Sequence, residues 1–168
     1  MAIITLNNNS LSGLNVGKVL QVVHGSTSTE TNIQSTTYAD TTLSASITPS
    51  STSSKVLILI SQQGKLRLFA NAELNGEMRI LRDSTVIYTK GITHTTRSGE
   101  GAVGANDDGS SVAIQYLDSP NTTSAITYKT QGKVDTTTPN NARITFQSIS
   151  PNNSVSGSSE ITLMEVSG

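Results

Sequence analysis

The chain is 168 residues long, carries a net charge of −1, and has charged side chains at only 14% of its positions. That balance excludes a nucleic-acid binder relying on a basic footprint, and equally a polybasic binder of membrane surfaces. No cysteine is present, which excludes disulfides and thiolate metal sites, and the length suffices for one domain with a sizeable core.

Ser, Thr, Asn and Gly dominate, and the strong helix formers are scattered. The β-branched residues fit a pleated surface, so the chain reads as all-β. Residues 1–16 precede the first alternating stretch and read as an extended N-terminal arm. Within it "IITL" has the character of a segment that pairs with a neighbour's edge strand, making Ile3, Ile4 and Leu6 the candidate attachment residues. This N-terminus lacks a basic n-region and a long apolar stretch, so no signal peptide is expected. No run approaches the roughly 20 apolar residues of a membrane helix, so no membrane insertion is expected.

Residues 17–168 read as a single β-sandwich domain. In "KVLQVVH", Leu20 and Val22 share one face, Val19 and Val23 the other. A polar connection over residues 25–37 follows. Leu43, Ala45 and Ile47 then alternate with serines, as a half-buried antiparallel strand does. "KVLILI" breaks the alternation. Both faces of a strand holding Val56, Leu57, Ile58, Leu59 and Ile60 need cover, and a partner subunit is the natural source, so these five are the candidate oligomer contact. "EMRILRDSTVIYTK" reads as a hairpin turning at Asp83-Ser84.

A second long connection, residues 91–111, holds Gly99, Gly101, Gly104, Asn106, Asp107 and Asp108 and reads as an exposed loop. "VAIQYL", "AITYKTQGKV", "ARITFQSI" and "EITLMEV" supply the remaining strands. Short strands divided by Pro, Gly, Asn and Ser turns indicate an antiparallel sandwich of jelly-roll type.

Little in the chain carries chemistry. "GEGAVG" matches the dinucleotide fingerprint G-x-G-x-x-G, but "ANDDGSS" after it is a poor helix start, and the fingerprint needs a helix N-terminus for the phosphate. "NDDG" offers oxygens to a hard cation without the spaced acidic pattern of a calcium loop, so a solvated turn is the default. His24 and His94 stand alone, expected at a strand end and in the long loop, and no serine sits in a G-x-S-x-G elbow. The chain therefore reads as non-enzymatic, with no cofactor. Without Trp, a sugar site built on stacking is not expected, although one built on Asn, Asp and Ser hydrogen bonds stays open; Tyr38, beside a polar loop, is the tyrosine expected to be exposed.

Six segments, "ITLNNNSLS", "GKVLQVV", "SITPSSTSSKVLILI", "RILRDSTVIY", "YLDSPNTTSAITYKTQ" and "ITLMEV", resemble in order a group of small proteins of tailed bacteriophages, especially marine and cyanobacterial ones. These are described as virion structural or tail-fibre proteins. The resemblance implies a homotrimeric β-sandwich on the virion surface, made in the bacterial cytoplasm and released by lysis. Two roles follow from it. One is a decoration (cement) protein over a junction of shell subunits, its arm pairing with the shell or with a neighbour. The other is a tail-fibre tip whose loops touch a host surface glycan or protein. The absence of a coiled-coil or collagen-like shaft favours decoration.

Overall fold

The computed structural model describes residues 17–68, 74–94, 106–137, 142–148 and 157–168. Among them are ten strands and no helix. In chain order they are β1 (Val19–Thr27), β2 (Thr31–Ile33), β3 (Ala39–Ile47), β4 (Lys55–Leu68) and β5 (Leu74–Arg82). Then come β6 (Thr85–His94), β7 (Asn106–Asp118), β8 (Ile126–Val134), β9 (Arg143–Phe146) and β10 (Ser159–Val166).

The long strands pair like nested brackets: β1 with β10, β3 with β8, β4 with β7, and β5 with β6, all antiparallel. Such a set is one double ribbon with the β5–β6 hairpin at its tip. The ribbon rolls up so that β10 also pairs with β4, and β8 with β5. Two sheets result, β1-β10-β4-β7 and β3-β8-β5-β6, which is the jelly roll expected from the strand pattern. The short strands β9 and β2 widen the first sheet beside the second half of β4.

Alternation explains the core. Leu43, Ala45 and Ile47 of β3, Met78 and Ile80 of β5, Ile126 and Tyr128 of β8, and Ile161 and Leu163 of β10 all point between the sheets and are buried. Each of the leucine, isoleucine and methionine side chains among them contributes about 1.5–3 kcal/mol by leaving water. On β4 the inward residues are Val56, Ile58 and Ile60, followed by Gln62, Gly64 and Leu66. Gln62 is fully buried, and neither amide atom has a hydrogen-bond partner among the described residues.

Two glycines mark close approaches. A Cβ on Gly25 of β1 would lie 2.5 Å from the carbonyl oxygen of Ser44, so the β1 and β3 edges of the two sheets can touch only there without a side chain. A Cβ on Gly132 of β8 would lie 2.5 Å from Cε2 of Phe146, whose buried ring fills that space. In β3, Thr41, Thr42 and Leu43 stand against the single residue Thr130, a bulge that puts β-branched Thr42 at φ 67°. The Oγ1 atoms of Thr41 and Thr130 are 2.5 Å apart and hold the bulge to β8.

The structure corrects three expectations. Asn106, Asp107 and Asp108 lie in β7, not in a turn: they pair in register with Leu68, Arg67 and Leu66. The long polar continuation of β4 offers a full row of backbone partners, and that pairing outweighs the poor strand propensity of Asn and Asp. The polar stretch 25–37 contains the end of β1 and all of β2. His24 sits within β1 rather than at its end, and His94 closes β6 rather than lying in a loop.

Two measurements test this packing. Gly132→Ala should cost about 1–3 kcal/mol in denaturant unfolding, because the Phe146 ring must move off its seat. Gln62→Met should raise stability by about 1–3 kcal/mol, as a similar volume replaces an amide buried without partners.

Candidate functional site

The outward faces of the two sheets differ in kind. Pairing aligns Val22 of β1 with Met164 of β10, Met164 with Leu57 of β4, and Leu57 with Leu117 of β7. The period of two turns all four outward, so an apolar row crosses four strands of one sheet. Val22 is 55% exposed and Leu117 50%, while Met164 and Leu57 between them are half-buried. Exposed Leu20 and half-buried Leu59 widen the row. Further along the same face the residues turn polar. A shallow open depression of about 260 Å³ lies there, lined by Leu59, Ser61, Ala113, Gln115, Glu160 and Thr162. His24 is exposed beside it, its Nδ1 3.3 Å from Thr162 Oγ1.

The outer face of β3-β8-β5 is a continuous polar network. The Tyr38 hydroxyl donates to Glu77 Oε2 at 2.5 Å, and Lys133 Nζ lies 3.3 Å from the same oxygen. Arg79 donates through Nε and Nη2 to Gln131 Oε1, Gln131 Nε2 donates to Asp40 Oδ1 at 2.7 Å, and Lys129 Nζ reaches Asp40 Oδ2 at 3.0 Å. The Arg79 guanidinium stands 3.8 Å from the centre of the Tyr38 ring and the Lys133 ammonium 5.0 Å. Burial, then the Glu77 carboxylate, pushes the Tyr38 hydroxyl up to about 12. In return the hydroxyl bond, with help from Lys133, holds Glu77 below the usual carboxylate range. Exposed pairs of this kind are individually weak, so the network's main effect is to keep this face polar and wetted. Tyr38 is therefore not a bare stacking platform: its ring already carries two cations.

One end of the sandwich is closed by two buried carboxylates in a single inward row, where Glu165 and Asp118 flank Val56 on the paired strands. Glu165 Oε1 accepts from the Ser50 backbone N–H at 2.7 Å and the Ser50 hydroxyl at 2.6 Å, and Oε2 accepts from Gln21 Nε2 at 2.6 Å. Asp118 accepts from the Tyr128 hydroxyl at 2.7 Å and from Arg82 Nη1 at 2.9 Å, tying the first sheet to the second. Burial, then the Asp118 carboxylate, raises the Tyr128 hydroxyl well above its ordinary value. Burial alone would raise Glu165 too, but the Ser50 and Gln21 hydrogen bonds outweigh it and hold the carboxyl at about 2.

The structure redistributes the residues singled out from sequence. Val56, Ile58 and Ile60 are core residues of this chain's own sandwich, at most 4% exposed, and are unavailable to a partner. The strand does alternate: both of its faces are apolar, and only Leu57 and Leu59 look outward. Ile3, Ile4 and Leu6 of the arm lie outside the described residues, as do Gly99, Gly101 and Gly104. No group of three or more His, Asp or Glu side chains is placed to hold a metal ion among the described residues. Sequence reading missed Leu117, Val22 and Met164 as companions of Leu57. Val22 stood on a strand face and Met164 and Leu117 within strand segments, and only the pairing register brings them into one row.

No family model matches the chain, and no curated protein does. Among solved structures it is similar to the VP2 subviral particle of infectious bursal disease virus, with 9% identity and a TM-score of 0.37 over 88% of this chain and 40% of that one. The T=1 particles derived from the same virus give 9% and 0.40 over 89% and 37%. Its T13 particle gives 10% and 0.38 over 99% and 41%. The chain spans about two fifths of the length of those proteins, which come from infectious bursal disease virus and not from a tailed phage.

The Glu165 lock has a pH signature. Its folded carboxyl titrates below the unfolded value of 4.5, so its stabilisation is complete above about pH 4.5 and is lost as pH falls towards 2. Glu165→Gln should lower stability at pH 7 by roughly 1–3 kcal/mol. It should also flatten the loss of stability between about pH 4.5 and 2 when urea midpoints are followed against pH.

Proposed function

We propose that this protein is a non-enzymatic structural component of a virion surface, a homotrimeric jelly roll that decorates and cements a capsid and is attached through its N-terminal arm. The observation that carries the reading is the contrast between the two outer faces. One presents Val22, Met164, Leu57 and Leu117 as a row crossing four strands. The other presents an interlinked set of charged side chains. A sandwich with one apolar and one charged face is built to be buried on the first and wetted on the second.

In the proposed trimer the apolar row meets other copies and the charged face looks outward. The resemblance of the six sequence segments to tailed-phage virion proteins supports the location. Imaging labelled protein on intact particles tests it: regular positions over the head are expected, whereas label confined to the tail or its fibres would establish the adhesion role instead.

The oligomer can be tested on the isolated protein. Wild type should run as a trimer in light scattering at tens of micromolar. Leu57→Glu combined with Leu117→Glu should give a folded monomer, because carboxylates in the row would have to lose their water in the contact. Ser46→Glu together with Thr127→Glu, on the charged face, should leave the trimer intact. A monomeric wild type would overturn the assignment of this face.

A further inference from the structure

Edge strands are normally protected by bulges, brevity or cover, because a regular free edge recruits other chains. Among the described residues, β1 is interrupted at Val19/Gln21 and lies against β3 through Gly25. The edge strand β3 carries the bulge between Asp40 and Ser44. In the β5–β6 pair the register shifts at Ile80/Leu81, and β2 is three residues long.

The exception is β7. It runs for 13 residues, pairs with β4 from Val56↔Asp118 to Leu68↔Asn106 without a register shift, and has no strand on its other side among the described residues. From Gly109 to Leu117 it contains neither proline nor a charge. Lys90 Nζ, from the neighbouring edge of the other sheet, donates to the Ala113 carbonyl at 3.2 Å.

We propose that the free edge of β7 accepts residues 2–6, "AIITL", from the arm of an adjacent copy of this chain as an added antiparallel or parallel strand. The segment is uncharged, and Ile3, Ile4 and Thr5 are β-branched, as strand addition favours. Ten residues, 7–16, separate it from Gly17, and an extended chain of ten residues spans at most about 35 Å, enough to reach a neighbour.

The chain's own arm is the poorer occupant. It enters at β1, the opposite edge of the same sheet. To reach the free side of its own β7 it must cross four strand spacings of about 4.8 Å over the outer face that carries Met164 and Leu57, where the proposed trimer places other copies. The inference deepens the arm's part in the proposed function, because residues 2–6 seated on a neighbouring copy are not free to grip a shell; imaging on particles tests the location and cross-linking tests the arm.

The absence of cysteine makes the test direct, since introduced thiols can pair only with one another. Full-length protein carrying Gln115→Cys with either Ile3→Cys or Ile4→Cys is oxidised and run under non-reducing conditions. The two arm positions present a thiol on either face of the added strand. Covalent dimers and higher species in one of the two double variants, absent from every single variant, are expected.

Three results would overturn the proposal: an intramolecular bond only, meaning the chain's own arm; dimers from Gln115→Cys alone, meaning that two β7 edges meet; or no bond in either double variant. Amide exchange gives a second readout that needs no thiol. Deleting residues 2–6 should abolish slow exchange at the free-edge amides of residues 111–117, and unchanged exchange would equally overturn the idea.

Discussion

Strand β4 is bonded on both sides along most of its length, to β7 on one edge and to β10 and then β9 on the other. The period of two along this single strand sends Val56, Ile58 and Ile60 into the core and Leu57 and Leu59 to the outside. The register that β4 imposes on its neighbours then fixes what stands beside each of them. The buried Glu165 and Asp118, the outward row and the free edge of β7 are all consequences of that register. Backbone bonds are too costly to leave unmade in a buried sheet, and a slip of one residue would exchange the two faces.

The two sheets share one core but meet solvent on different terms. On one, leucine, valine and methionine sit in an uninterrupted row; on the other, Asp40, Glu77, Arg79, Lys129 and Lys133 are joined by hydrogen bonds and ion pairs. The carboxylate locks at one end of the sandwich hold these faces in a fixed relation. Glu165 anchors the segment around Ser50 to the first sheet, and Asp118 anchors the second sheet through Tyr128 and Arg82. The proposed burial of one face against copies of the chain therefore requires little rearrangement of the sandwich itself.

Much of this architecture was legible before the structure. Alternation located most strands, and the Asp83-Ser84 turn between Leu81 and Val86 marked the ribbon's tip. Three parts were not legible, each for a physical reason. In "SQQGKLRL" the inward positions hold Gln62 and Gly64 before Leu66, so the apolar alternation lapses through the middle of β4. Asn106 to Asp108 have turn propensities, and their strand state exists only because Leu66 to Leu68 pair with them. The run "KVLILI" suggested five contact residues, but a pleat divides such a run between two faces, leaving Leu57 and Leu59 outside. Their companions Val22, Met164 and Leu117 lie far away in sequence, and register across strands is a tertiary property.

The pairing of β1 with β10 joins Val19 to Val166, nearly the two ends of the described chain. The first sheet therefore lacks one of its inner strands until β10 has been made, and the Glu165 lock needs the same strand. A nascent chain emerging from the ribosome can form the β5–β6 hairpin and dock β8, but it must hold β4 with one side unpaired while the rest is translated. Synthesis and folding are thus separated in time by the topology itself. During that interval the most apolar strand of the protein depends on the serines and threonines that flank it, and on any chaperone at hand, to stay in solution.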